Sequence, residues 1–360
     1  MTRNRIAVLD ILRVVGMLFV MFIHSPVDED AKSSPAIFLL KGYFASGAVP
    51  VFFLLSGYLG AKSLQSPKLH ISAFAKNKLN TLIIPFLFWN LLVLTLVFAA
   101  KASGLASGFR GSGAYFDVEF SLSSIACAIL GIGRSPIVYQ FWFLRDLIVI
   151  SFAAFFLCRA LPRIPLLPWF FFFISLPMAS SLGYYLLGHY LHGILPPERF
   201  PKLRSSLLFC LCWFGMGIGV LVGLVNIPYP IQQVGSAFFI LMVAIALAAV
   251  RSSHRLALLG SSTFFVYATH EPLQTIIAKV WQAFNVPYYG SLFCFLLIPA
   301  SVFFICVVSY GLLCKISPQL MSVATGNREW PNKTVDSTAT HFTPPASSLR
   351  SGQDSRHGQP

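Results

Sequence analysis

Charge is what this chain has least of. Only 11% of its 360 residues are charged, and just 12 are acidic. A soluble domain carries roughly 25% charged residues, so the deficit excludes a soluble globular enzyme, a disordered chain and a nucleic-acid-binding module. Metal-site and disulfide patterns are missing as well. The seven Cys, at positions 127, 158, 210, 212, 294, 306 and 314, form no CxxC and no Cys/His cluster of zinc spacing. They read as membrane-buried thiols, with neither a disulfide framework nor a metal site implied. No A-x-A cleavage site follows the basic start, and Asp10 and Arg13 interrupt the apolar region behind it. The N-terminus is therefore expected to be an uncleaved first helix and not a signal peptide.

What is abundant is apolar. Hydrophobic residues make up 56% of the chain and include 35 Phe, and the mean hydropathy is +0.73. A membrane span needs roughly 20 mainly apolar residues, because about 30 Å of hydrocarbon is crossed at 1.5 Å per residue. Candidate spans lie at about 6–25, 37–60, 81–100, 141–158, 165–187, 205–225, 231–250, 256–279 and 291–314. The predicted fold class is all-α, a polytopic integral membrane helix bundle. The net charge of +14 then belongs to cytoplasmic loops beside anionic membrane lipid, and no nucleic-acid partner is expected.

Loop charges orient the spans. Arg3 and Arg5 place the N-terminus in the cytoplasm, and Asp28, Glu29 and Asp30 fall outside. Lys62, Lys68, Lys76 and Lys78 return inside, as do Arg159 and Arg163. Nine spans would leave Arg199, Lys202, Arg204, Arg251, Arg255 and the C-terminus outside. One further crossing between about 163 and 198 brings them all in. About ten transmembrane helices with both termini cytoplasmic are therefore expected. Residues 1–315 make up the transmembrane domain. Residues 316–360 have no apolar run and many Ser, Thr and Pro, which predicts a mostly disordered cytoplasmic tail. The outer loop 101–140 is long and rich in Gly and Ser, and loops of that length are functional or disordered.

An ionisable group at the bilayer centre costs about 2.5–3.5 kcal/mol, so it normally faces a polar interior. The first span holds Asp10, Arg13 and His24. Eleven residues at about 100° each bring Arg13 and His24 to within roughly 20° of alignment, with a rise of about 16 Å. Both lie on one helix face, three turns apart. Taken alone, they also fit a snorkelling Arg and an interfacial His. The stretch Ser46 to Tyr58 carries Gly47, Pro50 and Gly57 inside an apolar run, where they break or kink a helix and admit a close neighbour. Arg145, in FWFLRDL, stands about one turn inside its span. It suits either an aromatic belt with an interfacial Arg or a cation aimed into the bundle. His270, one turn after Tyr267, is either a helix–helix hydrogen-bond partner or part of a site.

Taken in order, these motifs resemble the acyltransferase 3 family. They are an Arg-x10-His first helix, SGAVPVFFLLSGYL, the run KNKLNTLIIPFLFW from Lys76 to Trp89, FWFLRDL and VYATHEPL. The resemblance covers about Arg5 to Lys315. There are departures: Lys76 and Lys78 stand where the family more often has Arg, and SGAVP replaces a Gly-Gly-x-x-Val-Asp-type sequence. The family consists of membrane O-acyltransferases acting on bacterial polysaccharides, lipopolysaccharide and related glycans. The resemblance implies an O-acetyltransferase with acetyl-CoA, or another acyl-CoA, as donor substrate and a glycan or lipid-linked glycan as acceptor. By that resemblance His24 is the general base, whose pKa range suits the task. Arg13 is the donor-side cation, with Lys76 and Lys78 as further cofactor-binding cations. Arg145 is a candidate for the oxyanion or the acceptor, and His270 a second histidine of the site. A glycan exporter, or a catalytically idle glycan-binding relative, is the alternative class.

Overall fold

The computed structural model describes residues 3–27, 34–66, 70–104, 118–160, 177–195, 200, 202–250, 253–284 and 292–328. Among them every regular element is helical. Helix α1 (Arg3–His24) is followed by an irregular crossing. This begins with a short turn Pro35–Ile37 and a π-turn Phe38–Tyr43, then tightens to a 3₁₀ turn Phe44–Gly47 before helix α2 (Ala48–Gln65). The break expected from Gly47 and Pro50 thus falls just before α2. Gly47 is the N-cap, and Pro50 sits in the first turn, where its missing N–H forfeits no helical hydrogen bond.

The next crossing also contains a π-turn, Leu79–Ile83, between the helix Ile71–Lys78 and helix α3 (Ile84–Ala102). Part of the Gly- and Ser-rich segment expected to be loop is helix α4 (Leu122–Leu130). The Ser121 hydroxyl caps its start by accepting from the Ser124 N–H at 3.2 Å. Gly131, with φ of +70°, ends it in the left-handed conformation that Gly adopts without penalty. A 3₁₀ turn, Tyr139–Phe141, leads into α5 (Trp142–Ala160). Then come α6 (Pro177–Ile194), α7 (Leu203–Leu221), α8 (Tyr229–Ala248), the short Ser253–Leu258 and Leu259–Ser262 turns, α9 (Thr263–Ala283), α10 (Leu292–Ile316) and α11 (Pro318–Thr325).

Seven of the described segments are long and apolar enough to cross a membrane. Helices α6 and α9 have 18 and 21 residues, but they carry more polar side chains, including His189 and His192 on α6 and His270, Glu271 and Lys279 on α9. The span expected at 165–187 is represented by α6, which starts at Pro177. The stretch that would hold a tenth crossing includes residues 161–176, outside the described residues. So do Asp28, Glu29, Asp30, Lys68, Arg163, Arg199 and Arg251, which helped set the expected orientation.

The compact unit ends near Trp330, beyond the boundary expected at 315. Helix α11 buries Met321, Ala324 and Thr325. The Trp89 indole N–H donates to the Ala324 carbonyl at 2.9 Å, and the Tyr310 hydroxyl donates to the Arg328 carbonyl at 2.6 Å. One apolar face on an eight-residue helix is too short to register as a hydrophobic run, which is why sequence alone assigned it to the tail. Residues 329–360 lie outside the described residues.

Helix α1 sits centrally, packed by α2, α8, α9 and α10. Its core side chains Ile11, Leu12, Met17 and Met21 are almost fully buried. The closest crossing is that of α2 and α6. A Cβ added at Gly57 would strike the Tyr185 carbonyl, and one at Gly188 would strike the Leu54 carbonyl. The two backbones meet through these two glycines, the device by which small residues let apolar helices approach.

Candidate functional site

One face of α1 lines a cavity of about 200 Å³ with Arg13, Met17, Val20 and His24. These positions step by three or four residues, as a single helical stripe requires. The eleven-residue spacing of Arg13 and His24 therefore brings both side chains to the same space, at opposite ends. Helix α2 contributes Val49, Phe52 and Ser56, the segment 140–147 contributes Gln140, Trp142 and Phe143, and α9 contributes Thr263, Phe264 and Tyr267. Most of the wall is apolar and aromatic.

At the His24 end the imidazole has a histidine neighbour. The rings of His24 and His270 are 5.4 Å apart between centroids and inclined at 67°. His270 is fully buried. Its Nδ1 lies 2.9 Å from the Tyr267 carbonyl and 3.2 Å from that of Val266. Carbonyls only accept, so Nδ1 carries the proton in these bonds, and the neutral ring keeps a lone pair on Nε2. That Nε2 is buried without a protein partner. His270 does not line the cavity; it stands behind His24. The end of α1 is anchored beside it. The Ser25 hydroxyl donates to the Phe295 carbonyl at 3.0 Å, and the Lys41 ammonium donates to the Ser25 carbonyl at 2.8 Å.

Gln140 was not singled out by sequence, yet it is among the most constrained polar residues of the site. Its carboxamide Nε2 donates to the Ala268 carbonyl at 3.0 Å, and its backbone carbonyl accepts from the Tyr267 hydroxyl at 2.6 Å. The preceding strap is held by Asn90, whose Oδ1 accepts from the Val138 N–H at 3.2 Å. Gln140 is 2% exposed, lines the cavity, and keeps Oε1 without a partner. A neutral side chain in an aromatic run carries no charge signal, so only the fold could reveal it.

At the other end, Arg13 pairs with Asp10 one turn earlier on α1. Gly260 packs against the Asp10 side chain, where a Cβ would collide. Arg328 lines the cavity beside Arg13, with its guanidinium over the Phe264 ring at 4.5 Å. Burial, and after it the charge of Arg13, pushes Arg328 down to about 10, so it stays cationic at neutral pH. Lys78 does not line the cavity. Its ammonium lies 5.4 Å over the Phe74 ring, and its charge interacts with that of Arg328. Lys76 is exposed and away from the cavity.

Arg145 is not part of this wall. Its Nε donates to Asp146 at 2.9 Å and its Nη1 to the Gly131 carbonyl at 2.7 Å. It ties α5 to the turn that ends α4. An Arg145→Lys variant keeps the charge but cannot make both bonds at once, and it is expected to lose about 1–3 kcal/mol of stability. Its kinetic constants should stay unchanged. Thermal melting beside steady-state kinetics checks this. A tenfold fall in kcat at unchanged melting temperature would instead place Arg145 in the reaction.

A helical membrane bundle with a guanidinium and an imidazole facing one apolar cavity can shield a polar group transfer from water. Comparison with known sequences names the class. The acyltransferase domain family model Acyl_transf_3 matches residues 6–313, and the chain belongs to this family. The chain is also similar to the succinoglycan biosynthesis protein ExoH of Rhizobium meliloti (strain 1021), at 23% identity over 361 residues, covering 91% of this chain and 94% of that protein. No solved structure matches.

Proposed function

We propose that this membrane acyltransferase is an O-acyltransferase that moves an acyl group, acetyl in the simplest case, from acyl-CoA to a hydroxyl of a cell-surface polysaccharide, lipopolysaccharide or lipid-linked glycan. The observation that carries the reading is the shared cavity of Arg13 and His24 on one stripe of α1, with the His270 ring behind the second. The likeness to a succinoglycan biosynthesis protein supports a glycan acceptor.

In this reading, His24 accepts the proton of the acceptor hydroxyl as its oxygen attacks the thioester carbonyl. A C–O bond forms, the tetrahedral intermediate collapses, and the C–S bond breaks. The departing thiolate takes the proton back from His24, which returns the imidazole to its starting state. His270 acts as a positioning residue: its Nε2 lone pair favours the His24 orientation that presents a basic nitrogen to the cavity. The unpartnered Oε1 of Gln140 accepts a hydrogen bond from a donor amide or a neighbouring sugar hydroxyl. Arg13 stands about 16 Å along the helix from His24. That is too far to touch the same carbonyl, and suits a cation that holds the remote end of an extended thioester donor.

The donor enters from the cytoplasm at the Arg13 end, with both termini on that side in a bacterial inner membrane. A Lys76→Cys variant labelled only from the cytoplasmic side supports this orientation, and labelling only from outside refutes it. Mass spectrometry of surface and lipid-linked glycans with and without the gene tests the reaction. Loss of one acyl mass from the glycan is the expected result. Unchanged acylation with less surface glycan would instead identify an exporter.

A further inference from the structure

The mechanism above leaves one cation of the cavity wall unused. Arg328 lies beyond both the matched family region, which ends at 313, and the last long helix, which ends at Ile316. The chain nonetheless returns it to the cavity wall, beside Arg13. The return is firmly built. Helix α11 is stopped by Gly326 at φ of +69°, and a Cβ at Gly326 would press on the Thr81 backbone. The Arg328 carbonyl accepts from both Tyr310 and Thr325. One Nη donates to the Thr325 carbonyl, and the flat face of the guanidinium rests on Phe264. A guanidinium stacked on an aromatic face presents its remaining N–H edge in a fixed plane.

The charge at this end does not balance. Arg13 and Arg328 are two cations on this part of the wall, and among the described residues the one carboxylate paired with either is Asp10. One positive charge is left over beside a half-exposed Arg13. A surplus guanidinium next to a second one favours an anionic ligand between them. Guanidinium forks suit phosphate oxygens in particular, since two parallel N–H groups meet two oxygens. Arg13 and Arg328 at one end of the cavity offer two guanidinium forks to the two phosphates of a diphosphate diester.

We infer that Arg328, with Arg13, forms a diphosphate seat at the end of the cavity opposite His24. Two sources of that chemistry are compatible with the site, the diphosphate of coenzyme A and that of an isoprenoid-linked glycan. The first rests on the acyl-CoA reading above, and the second does not. Arg328 makes the seat a property of the segment after α10 and not only of the helices that the family model covers.

The test uses the purified full-length protein in lipid nanodiscs and three probes: coenzyme A, inorganic pyrophosphate and a short-chain isoprenyl diphosphate. In Arg328→Gln, affinity for coenzyme A or for the isoprenyl diphosphate is expected to fall roughly tenfold or more, the worth of a charge-assisted bond, and pyrophosphate competition is expected to weaken in parallel. Whichever probe responds identifies the source. Arg328→Lys should recover part of the loss, since charge remains without the fork. A phosphate-free pantetheine thioester should bind wild type and Arg328→Gln alike. Melting curves show whether the variants are folded; if Arg328→Gln is not, the same comparison is read from Arg328→Lys and from the salt dependence of wild-type binding. Binding of all three probes within twofold of wild type in the folded variant overturns the seat. Arg328-dependent pyrophosphate and isoprenyl diphosphate binding without acyl-CoA turnover would retain the seat and reject the donor assignment.

Discussion

Acyl-CoA turnover by a His24→Ala variant is expected to fall by roughly two to four orders of magnitude, the usual worth of a positioned general base. His24 is the imidazole that lines the cavity; His270 is fully buried behind it and cannot reach an acceptor hydroxyl. Donor affinity should stay within about threefold, because in the proposed mechanism the base acts on the acceptor while Arg13, which would hold the donor's charged end, stands about 16 Å away along the helix. The variant should insert and fold normally. The core of α1 is made by Ile11, Leu12, Met17 and Met21, none of which the substitution touches. Purified wild type and variant are compared for turnover and, separately, for coenzyme A binding. Turnover within threefold of wild type would remove His24 from the role of base. A loss of turnover matched by an equal loss of coenzyme A affinity would mean that His24 holds the donor instead. His270→Gln should cost less than His24→Ala, since it perturbs only the orientation of the base.

Gly188→Val is expected to cause the largest loss of stability of any single conservative change in the bundle. At this position α6 lies against the Leu54 carbonyl of α2, and the neighbouring contact places Gly57 against the Tyr185 carbonyl. Neither obstacle is a flexible side chain that could rotate away; both are helical backbone. A branched Cβ must push the two helices apart along their crossing, which opens the packing around Phe53, Leu54 and Leu186, all nearly fully buried. Overpacking of a core costs about 1–3 kcal/mol, and a backbone obstacle places this case at the upper end. In apolar solvent the helices have no hydrophobic drive to re-associate, so close packing is the main attraction lost. Thermal melting in detergent, followed by helical circular dichroism and by retention of the monodisperse peak, checks the outcome. A melting temperature unchanged from wild type would show that the two helices separate easily and that the glycines are not the reason for their approach. Gly193→Val, on the same helix with nothing near its Cβ position, serves as the control and should be tolerated.

The class of protein was legible from composition. An apolar chain with so few charges has no soluble fold available, because exposed backbone and apolar runs of spanning length must be satisfied as helices in lipid. The order of motifs along the chain carried the family, and the family model agrees over residues 6–313. The alignment of Arg13 with His24 followed from helical geometry alone. Spacing along one helix is a local property, and the cavity lining preserves it.

What sequence could not decide were the partners that distant segments bring. Arg145 and Arg13 look alike as intramembrane cations, but Arg145 is occupied by Asp146 and the Gly131 carbonyl, while Arg13 faces the cavity. Nothing local distinguishes them, because the distinction rests on a turn fourteen residues upstream. His270 stands behind His24 through the packing of α9 on α1, a contact between residues 246 positions apart that no spacing rule reaches. Gln140 is neutral and hidden in an aromatic run, and only its two hydrogen bonds to α9, with Asn90 of α3 holding the strap before it, make it a fixed, half-satisfied group. The segment after Ile316 was too polar and too short to register as structure; its burial comes from a surface that α3 and α10 provide. Local periodicity set the helices and the polar stripe of α1. Long-range packing decided which charges meet the cavity, because an unpaired group is defined by what the rest of the chain fails to place beside it.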